Sequence, residues 1–211
     1  MHAQVDALLD ESHTLNEFMS KIRELFKSRS KIMGKPAGAD AAGAGEGDEG
    51  EVLPEVRVDL PVDAHVPHDY VTGDRLRLEA YRKIAEAPDQ DALDAIVEEL
   101  TDRYGEPPTP VRNLLAVAAF RQRCRAMGVG EVAVAGANIR IGPVELADSG
   151  QLRLRRLHPK AQYKPAARLV TVPRPVEGGQ IGGAPLRDTA LLDWCASLIG
   201  EVLTPAVPVR A

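Results

Sequence analysis

Residues 98–104 read Glu98-Glu99-Leu100-Thr101-Asp102-Arg103-Tyr104, which sets three carboxylates, a guanidinium and a phenol side by side. Carboxylates so close together can do general acid–base work, but only where burial drives their pKa values apart. No histidine, serine or cysteine stands beside them as a nucleophile or its base. The next residues are conformational in character: Gly105, then Pro107, Pro108 and Pro110. His65 and His68 lie three residues apart in a proline-rich stretch, and no third ligand is signalled that would make them a metal site. The third concentration of polar chemistry is a run of cations. Arg153, Arg155, Arg156, Lys160, Lys164, Arg168 and Arg174 fall between Gln151 and Pro175 with no acid among them.

Phosphate-binding chemistry is not written into the chain. A G-x-x-x-x-G-K-[ST] loop is absent, and GEGDEG at 45–50 is acidic where such a loop must welcome anions. Neither an H-E-x-x-H motif nor a Cys/His zinc spacing occurs. The expectation is therefore no catalytic residue, no cofactor and no metal. Cys124 and Cys195 cannot make a disulfide framework and read as small buried apolar residues of a reducing compartment.

The elements that hold these groups follow from periodicity. VRVDLPVDAHVP (56–67) starts as an alternating strand ended by Pro61. Three helices come next. The first buries Leu76, Ala80, Tyr81, Ile84 and Ala85, and the second buries Leu93, Ile96, Val97 and Leu100. The third starts with Thr109 as N-cap and Pro110 in the first turn, and runs to about Met127 before Gly128. Its apolar residues Val111, Leu114, Leu115, Val117, Ala118, Phe120 and Cys124 cover more than one face, which makes it the central helix. The capping rules then turn 99–115 into a corner. Glu98, Glu99 and Asp102 form a polar helix face, Gly105 a left-handed stop, and Pro107-Pro108 a turn. In that corner Tyr104 packs back on Leu100, and Arg103 suits the negative end of the helix dipole.

Beyond Gly128 the period becomes two. EVAVAGANIRIG (131–142) reads as a hairpin turning at Gly136, Ala137 and Asn138, and ARLVTV (167–172) as a strand stopped by Pro173 and Pro175. LRLRRL (152–157) fits a short helix or a strand, and EGGQIGGAP (177–185) a flexible loop. A closing helix carries Leu191, Leu192, Trp194, Cys195, Leu198, Ile199 and Val202. The fold class is α+β: a three-helix core, a small antiparallel sheet and a C-terminal helix.

Ahead of this domain lie two further segments. Thr14 and Glu17 form a capping box for an amphipathic helix, with Leu15, Phe18, Met19, Ile22, Leu25 and Phe26 on one side and Lys21, Arg23, Lys27 and Arg29 on the other. This 1–35 segment needs a packing partner to cover its apolar side. Residues 36–55 are a Gly, Ala and acid linker, too poor in apolar side chains to offset the entropy of ordering. The domain itself spans 56–211.

The whole chain has 211 residues, 44% hydrophobic and 27% charged, which suits one domain with an additional segment. A net charge of −5 argues against a dedicated nucleic-acid binder while leaving room for a local basic patch. No apolar run approaches the ~18 residues of a membrane span, and the N-terminus lacks the form of a signal peptide. The expected location is cytoplasmic.

From Val56 onward the chain resembles the C-terminal (TRCF) domain of the bacterial transcription-repair coupling factor, Mfd, in its actinobacterial form. The resemblance is carried by the ordered series VRVDLPVDAHVPHDYV, DRLRLEAYRKIAEA, EELTDRYGEPPTPVRNLL, NIRIGPVEL, LRLRRLHPK, KPAARLVTVPRP and IGGAPL. Its centre is Glu99, Leu100, Asp102, Arg103, Tyr104 and Gly105, followed by Pro110. The resemblance implies a regulatory part of an ATP-driven DNA translocase. That part docks on the UvrB-like module of the factor, masks the surface that recruits UvrA, and restrains the motor until RNA polymerase is engaged. The motor modules are absent from this sequence, and residues 1–35 do not resemble what precedes the domain in the family. A stand-alone chain of this kind acts in trans.

Two functional classes emerge. One is a protein-docking regulatory domain, with Arg153, Arg155, Arg156, Lys160 and Lys164 as the candidate contact residues. The other is an accessory that binds DNA through the 151–174 run and the basic N-terminal helix. Protein docking is favoured by the net charge and by the scarcity of aromatic residues in the run, where Tyr163 stands alone. Neither class hydrolyses ATP, so an ATPase assay on this chain is expected to show no turnover above buffer.

Overall fold

The computed structural model describes residues 56–179 and 183–203. The amphipathic helix expected within 1–35 and the linker at 36–55 lie outside the described residues, as does the middle of the 177–185 loop. The elements run in the order β1 (Arg57–Asp59), α1 (Asp74–Glu86), α2 (Gln90–Tyr104), α3 (Thr109–Ala126), β2 (Glu131–Ala135), β3 (Asn138–Gly142), α4 (Asp148–Leu157), β4 (Gln162–Lys164), β5 (Leu169–Pro173) and α5 (Asp188–Val202). The α+β class holds. The sheet is mixed rather than wholly antiparallel.

Its strand order is β1-β2-β3-β5-β4. β2 and β3 form the hairpin, β3 pairs with β5 and β5 with β4, all antiparallel. β1 adds itself parallel to β2, Val58 opposite Val132. A parallel neighbour requires a crossover between the two strands, and α1, α2 and α3 together supply it. Register explains the single apolar face: Val132 meets Ile141, Ile139 meets Val172, and Ile141 meets Val170. Each of these is buried, as is Val58, so the period of two places one side of β1, β2, β3 and β5 in the core. β4 escapes sequence reading because Gln162-Tyr163-Lys164 has no apolar alternation; only pairing with β5 makes it a strand.

α3 stands at the centre. It packs on α1, α2, β1 and α5, and Val111, Leu114, Val117, Ala118, Phe120 and Cys124 are all buried. Two polar side chains extend its reach. Buried Asn113 donates 2.7 Å to the Asp63 carbonyl. Gln122 donates 3.0 Å to the carbonyls of Ala87 and Asp89 in the α1–α2 turn. Its start differs slightly from expectation. Pro108 occupies the cap, Thr109 is already helical and its hydroxyl makes no capping bond, and the N–H groups of Val111 and Arg112 bond to the Pro108 carbonyl. α2 has the side-chain cap instead, Asp89 accepting from the Ala92 N–H at 2.9 Å.

α1 also departs from its pattern. Leu76 is 38% exposed, while Arg77 takes the buried place, paired with Asp74 at 2.6 Å and donating to the Val71 carbonyl at 3.2 Å. The buried Tyr81 hydroxyl accepts the Val66 N–H at 2.8 Å, tying α1 to the segment after β1.

The ambiguous 152–157 stretch is a helix. As a strand it would put Leu152 and Leu154 on one face; as α4 it buries Leu154 and leaves Leu152 and Leu157 outside. α4 lies against α5 at a distance set by Gly150, where an added Cβ would come within 2.6 Å of the Val202 carbonyl oxygen. The obstacle is backbone and cannot rotate away. Gly150→Ala is therefore expected to destabilise the domain by about 1–3 kcal/mol, the usual range for overpacking a tight contact. Urea unfolding followed by circular dichroism measures it, and an unchanged midpoint would mean that α4 is not fixed by this contact.

Candidate docking surface

The corner at 99–115 joins α2 to α3, but Gly105 stops α2 with ψ −172° rather than in the left-handed conformation, and Pro108 rather than Thr109 caps α3. α2 ends at Tyr104, and Gly105 takes φ +84°, a value that disfavours any side chain. Leu100 is core. Glu99 spans two helices: Lys83 of α1 donates to both of its oxygens at 2.8 Å, and Arg103 donates to Oε1 at 3.0 Å. The Lys83 hydrogen bonds, and then that of Arg103, hold the Glu99 carboxyl below the usual carboxylate range. A general acid needs the opposite shift. Arg103 also lies 5.2 Å over the Tyr104 ring. Tyr104 finds its aromatic partner in Tyr70, edge to face at 5.8 Å, rather than packing on Leu100 alone. The Tyr70 hydroxyl donates 2.9 Å to the Gly105 carbonyl, closing the corner from outside. Glu98 and Asp102 are exposed. The hollow between α1 and α2, lined by Leu76, Lys83, Ile96 and Glu99, holds about 20 Å³, far below a small-molecule site.

The cationic run divides into two groups. Three of its members are tied down. Arg153 donates to the Glu201 carbonyl at 2.6 Å, at the C-terminal end of α5. Arg168 pairs with Glu145 at 3.2 Å, and Arg174 donates to the Leu186 carbonyl at 2.9 Å. Arg155, Arg156, Lys160 and Lys164 are exposed, and none has an ion-pair partner among the described residues. They gather along the outside of α4, its exit, and β4. The sequence identified these cations but missed their apolar neighbour, Leu152. Its side chain is 66% exposed, and Leu157 is 43% exposed at the other end of the helix. The signal was present in LRLRRL, because a helix cannot bury Leu152, Leu154 and Leu157 together.

α4 is fixed from behind. Leu154 is 2% exposed. His158 sets its ring edge to face against Trp194 of α5 at 5.6 Å, with Nε2 3.9 Å from Glu201. The outward residues are thus presented by a helix packed against α5.

Several other polar groups meet in a second hollow. An open cleft of about 520 Å³ runs past Asp59, Asp63, Arg174, Arg187 and Asp188. There Asp188 accepts the Asp63 N–H at 2.9 Å. His65 lies 2.9 Å from Asp63. Among the described residues no three His, Cys, Asp or Glu side chains are placed to hold a metal, and no helix is long and apolar enough to cross a membrane. Cys124 and Cys195 are buried and free, and burial pushes both thiols up to about 12.

A pH signature arises from the Glu99 bridge. Its carboxyl pKa is lower in the folded chain than the ~4.3 of an unfolded glutamate. The bridge therefore contributes fully above that value and fades as pH falls through the lower, folded one. With the side chain 37% exposed, solvent screening limits the contribution, to about 0.5–1 kcal/mol. Glu99→Gln is expected to lower the urea midpoint at pH 7, by a gap that narrows as pH falls below the unfolded glutamate value. A gap that does not narrow on acidification would assign the effect to packing instead.

Comparison with known proteins agrees with this architecture. Residues 60–150 match the TRCF domain family. Over 146 residues, 69% of this chain, the sequence is 48% identical to the transcription-repair-coupling factors of Mycobacterium bovis and Mycobacterium tuberculosis. It is 31% identical over 98 residues to that of Escherichia coli. The chain covers 12% of each mycobacterial protein. Among solved structures, the crystal structure of a C-terminal domain of transcription-repair coupling factor superposes with a TM-score of 0.53 and 22% identity. That match covers 70% of this chain and 89% of the other. With the fold, the order of motifs and the mycobacterial relatives in agreement, the chain belongs to the TRCF domain family of transcription-repair coupling factors.

Proposed function

We propose that this chain is a non-catalytic regulatory and interaction domain in transcription-coupled DNA repair, acting in the cytoplasm. It docks through the basic face of α4 and β4 on the UvrB-like module of a coupling factor. Docking covers the surface that recruits UvrA and restrains the DNA translocase, with RNA polymerase engagement as the releasing event. The observation that carries this reading is a set of four exposed cations, Arg155 and Arg156 on α4, Lys160 in the turn after it and Lys164 on β4, without ion-pair partners among the described residues. Charges so placed complement an acidic surface. They raise the encounter rate and fix orientation more than they add raw affinity. Arg153 belongs to the same face, but its bond to the Glu201 carbonyl gives it a second task in holding α4 on α5. Reversing its charge would disturb the scaffold together with the surface.

The test is capture of the purified UvrB-like module of the host's coupling factor by this chain at two salt concentrations. The wild type is expected to retain it, less well at high salt, and Arg155→Glu with Arg156→Glu and Lys160→Glu to lose about ten-fold, from roughly 0.2–1 kcal/mol per exposed pair. Failure of the wild type to capture the module even at low salt would refute the reading. A stand-alone DNA-binding accessory is the alternative, and it predicts a shift of duplex DNA that decays steeply with salt.

A further inference from the structure

The exposed leucine at the start of the basic face changes what kind of surface it can meet. Leu152 is the most exposed large apolar side chain among the described residues. Arg155 and Arg156 follow it at the i+3 and i+4 positions of the same helix, so they are its nearest outward neighbours. Phosphate backbones need the guanidinium groups and have no use for the leucine. A protein surface uses both: it can desolvate the leucine and pair the arginines around it, and arginine is among the side chains that most often dominate binding free energy. The anchor is also pre-ordered. Buried Leu154, the Gly150 contact with α5 and the Arg153 bond to Glu201 hold α4 in place before anything arrives.

Resting on the docking role proposed above, we infer that α4 receives an acidic amphipathic helix from its partner, with Leu152 as the apolar anchor and Arg155, Arg156 and Lys160 as its charged rim. A partner helix with an apolar residue flanked by Asp or Glu three and four positions away repeats the spacing of Leu152, Arg155 and Arg156 in complementary charge. Lys160 extends the cationic side beyond the end of α4 and Lys164 continues it on β4.

The experiment titrates the intact chain with two fluorescein-labelled synthetic helical peptides and one duplex DNA at 150 mM salt. One peptide carries leucines flanked by glutamates at that spacing; the other replaces the leucines by serine. The leucine peptide is expected to bind at least ten-fold more tightly than the serine peptide and than the duplex. Leu152→Ser should abolish that preference with the helical circular dichroism unchanged, as befits an exposed position. Arg155→Glu with Arg156→Glu should weaken both peptides. Equal binding of the two peptides, tighter binding of the duplex, or an undiminished preference in Leu152→Ser overturns the inference. Repeating the capture of the UvrB-like module with Leu152→Ser separates the two proposals. Full capture by the variant removes the anchor and leaves the docking role standing. Lack of capture by the wild type, with the peptide preference intact, removes that partner and leaves the anchor.

Discussion

Burial of α3 on several sides is the constraint from which the rest of the domain derives. A helix with apolar residues at Val111, Leu114, Val117, Phe120 and Cys124 has no face to give wholly to water, so other elements must surround it. α1 and α2 take one part, α5 another, and β1 a third. Asn113 is itself buried and satisfies its amide on the Asp63 carbonyl, where an unpaired amide would cost more than an ordinary hydrogen bond contributes. Gln122 ties α3 to the Ala87 and Asp89 carbonyls of the α1–α2 turn.

The enclosed core leaves function to the outside. Polar groups near the core are consumed by structure: Arg77 by Asp74 and Val71, Glu99 by Lys83 and Arg103, Asp188 by Asp63. Arg155 and Arg156 on α4, Lys160 after it and Lys164 on β4, the edge strand farthest from β1, stay exposed. In the docking role proposed above, the partner would read the exposed cations of α4 and β4.

Much of this was legible in the sequence wherever one physical rule governed a segment. Helices α1, α2, α3 and α5 followed from apolar spacing and from Pro and Gly punctuation, and the β2–β3 hairpin from alternation. Departures arose where tertiary context outvoted local pattern. Leu76 and Arg77 exchanged roles because the guanidinium found Asp74 and Val71 within reach. The 152–157 stretch satisfied both periods and was decided by the fit of α4 on α5. β4 has no apolar signal, so pairing alone could reveal it. Within the candidate surface the cations were readable from composition, but the split between tied Arg153, Arg168 and Arg174 and outward Arg155, Arg156, Lys160 and Lys164 depended on partners distant in sequence. Lys83 and Glu99 met for the same kind of reason, across a short turn between two helices.

The parallel seat of β1 has a consequence for the order of assembly. Its partner β2 appears in the chain only after all three helices have been made. Loop closure over such a separation is entropically costly and is offset only once the intervening helices pack together. During synthesis, therefore, Val56 and Val58 emerge as an apolar strand with nothing to pair with until Glu131–Ala135 leaves the ribosome. The α1–α3 cluster forms from local contacts in the meantime. Of the five strands, the first is the one that waits longest for its neighbour, and α5, which packs on α3 and α4, is made later still.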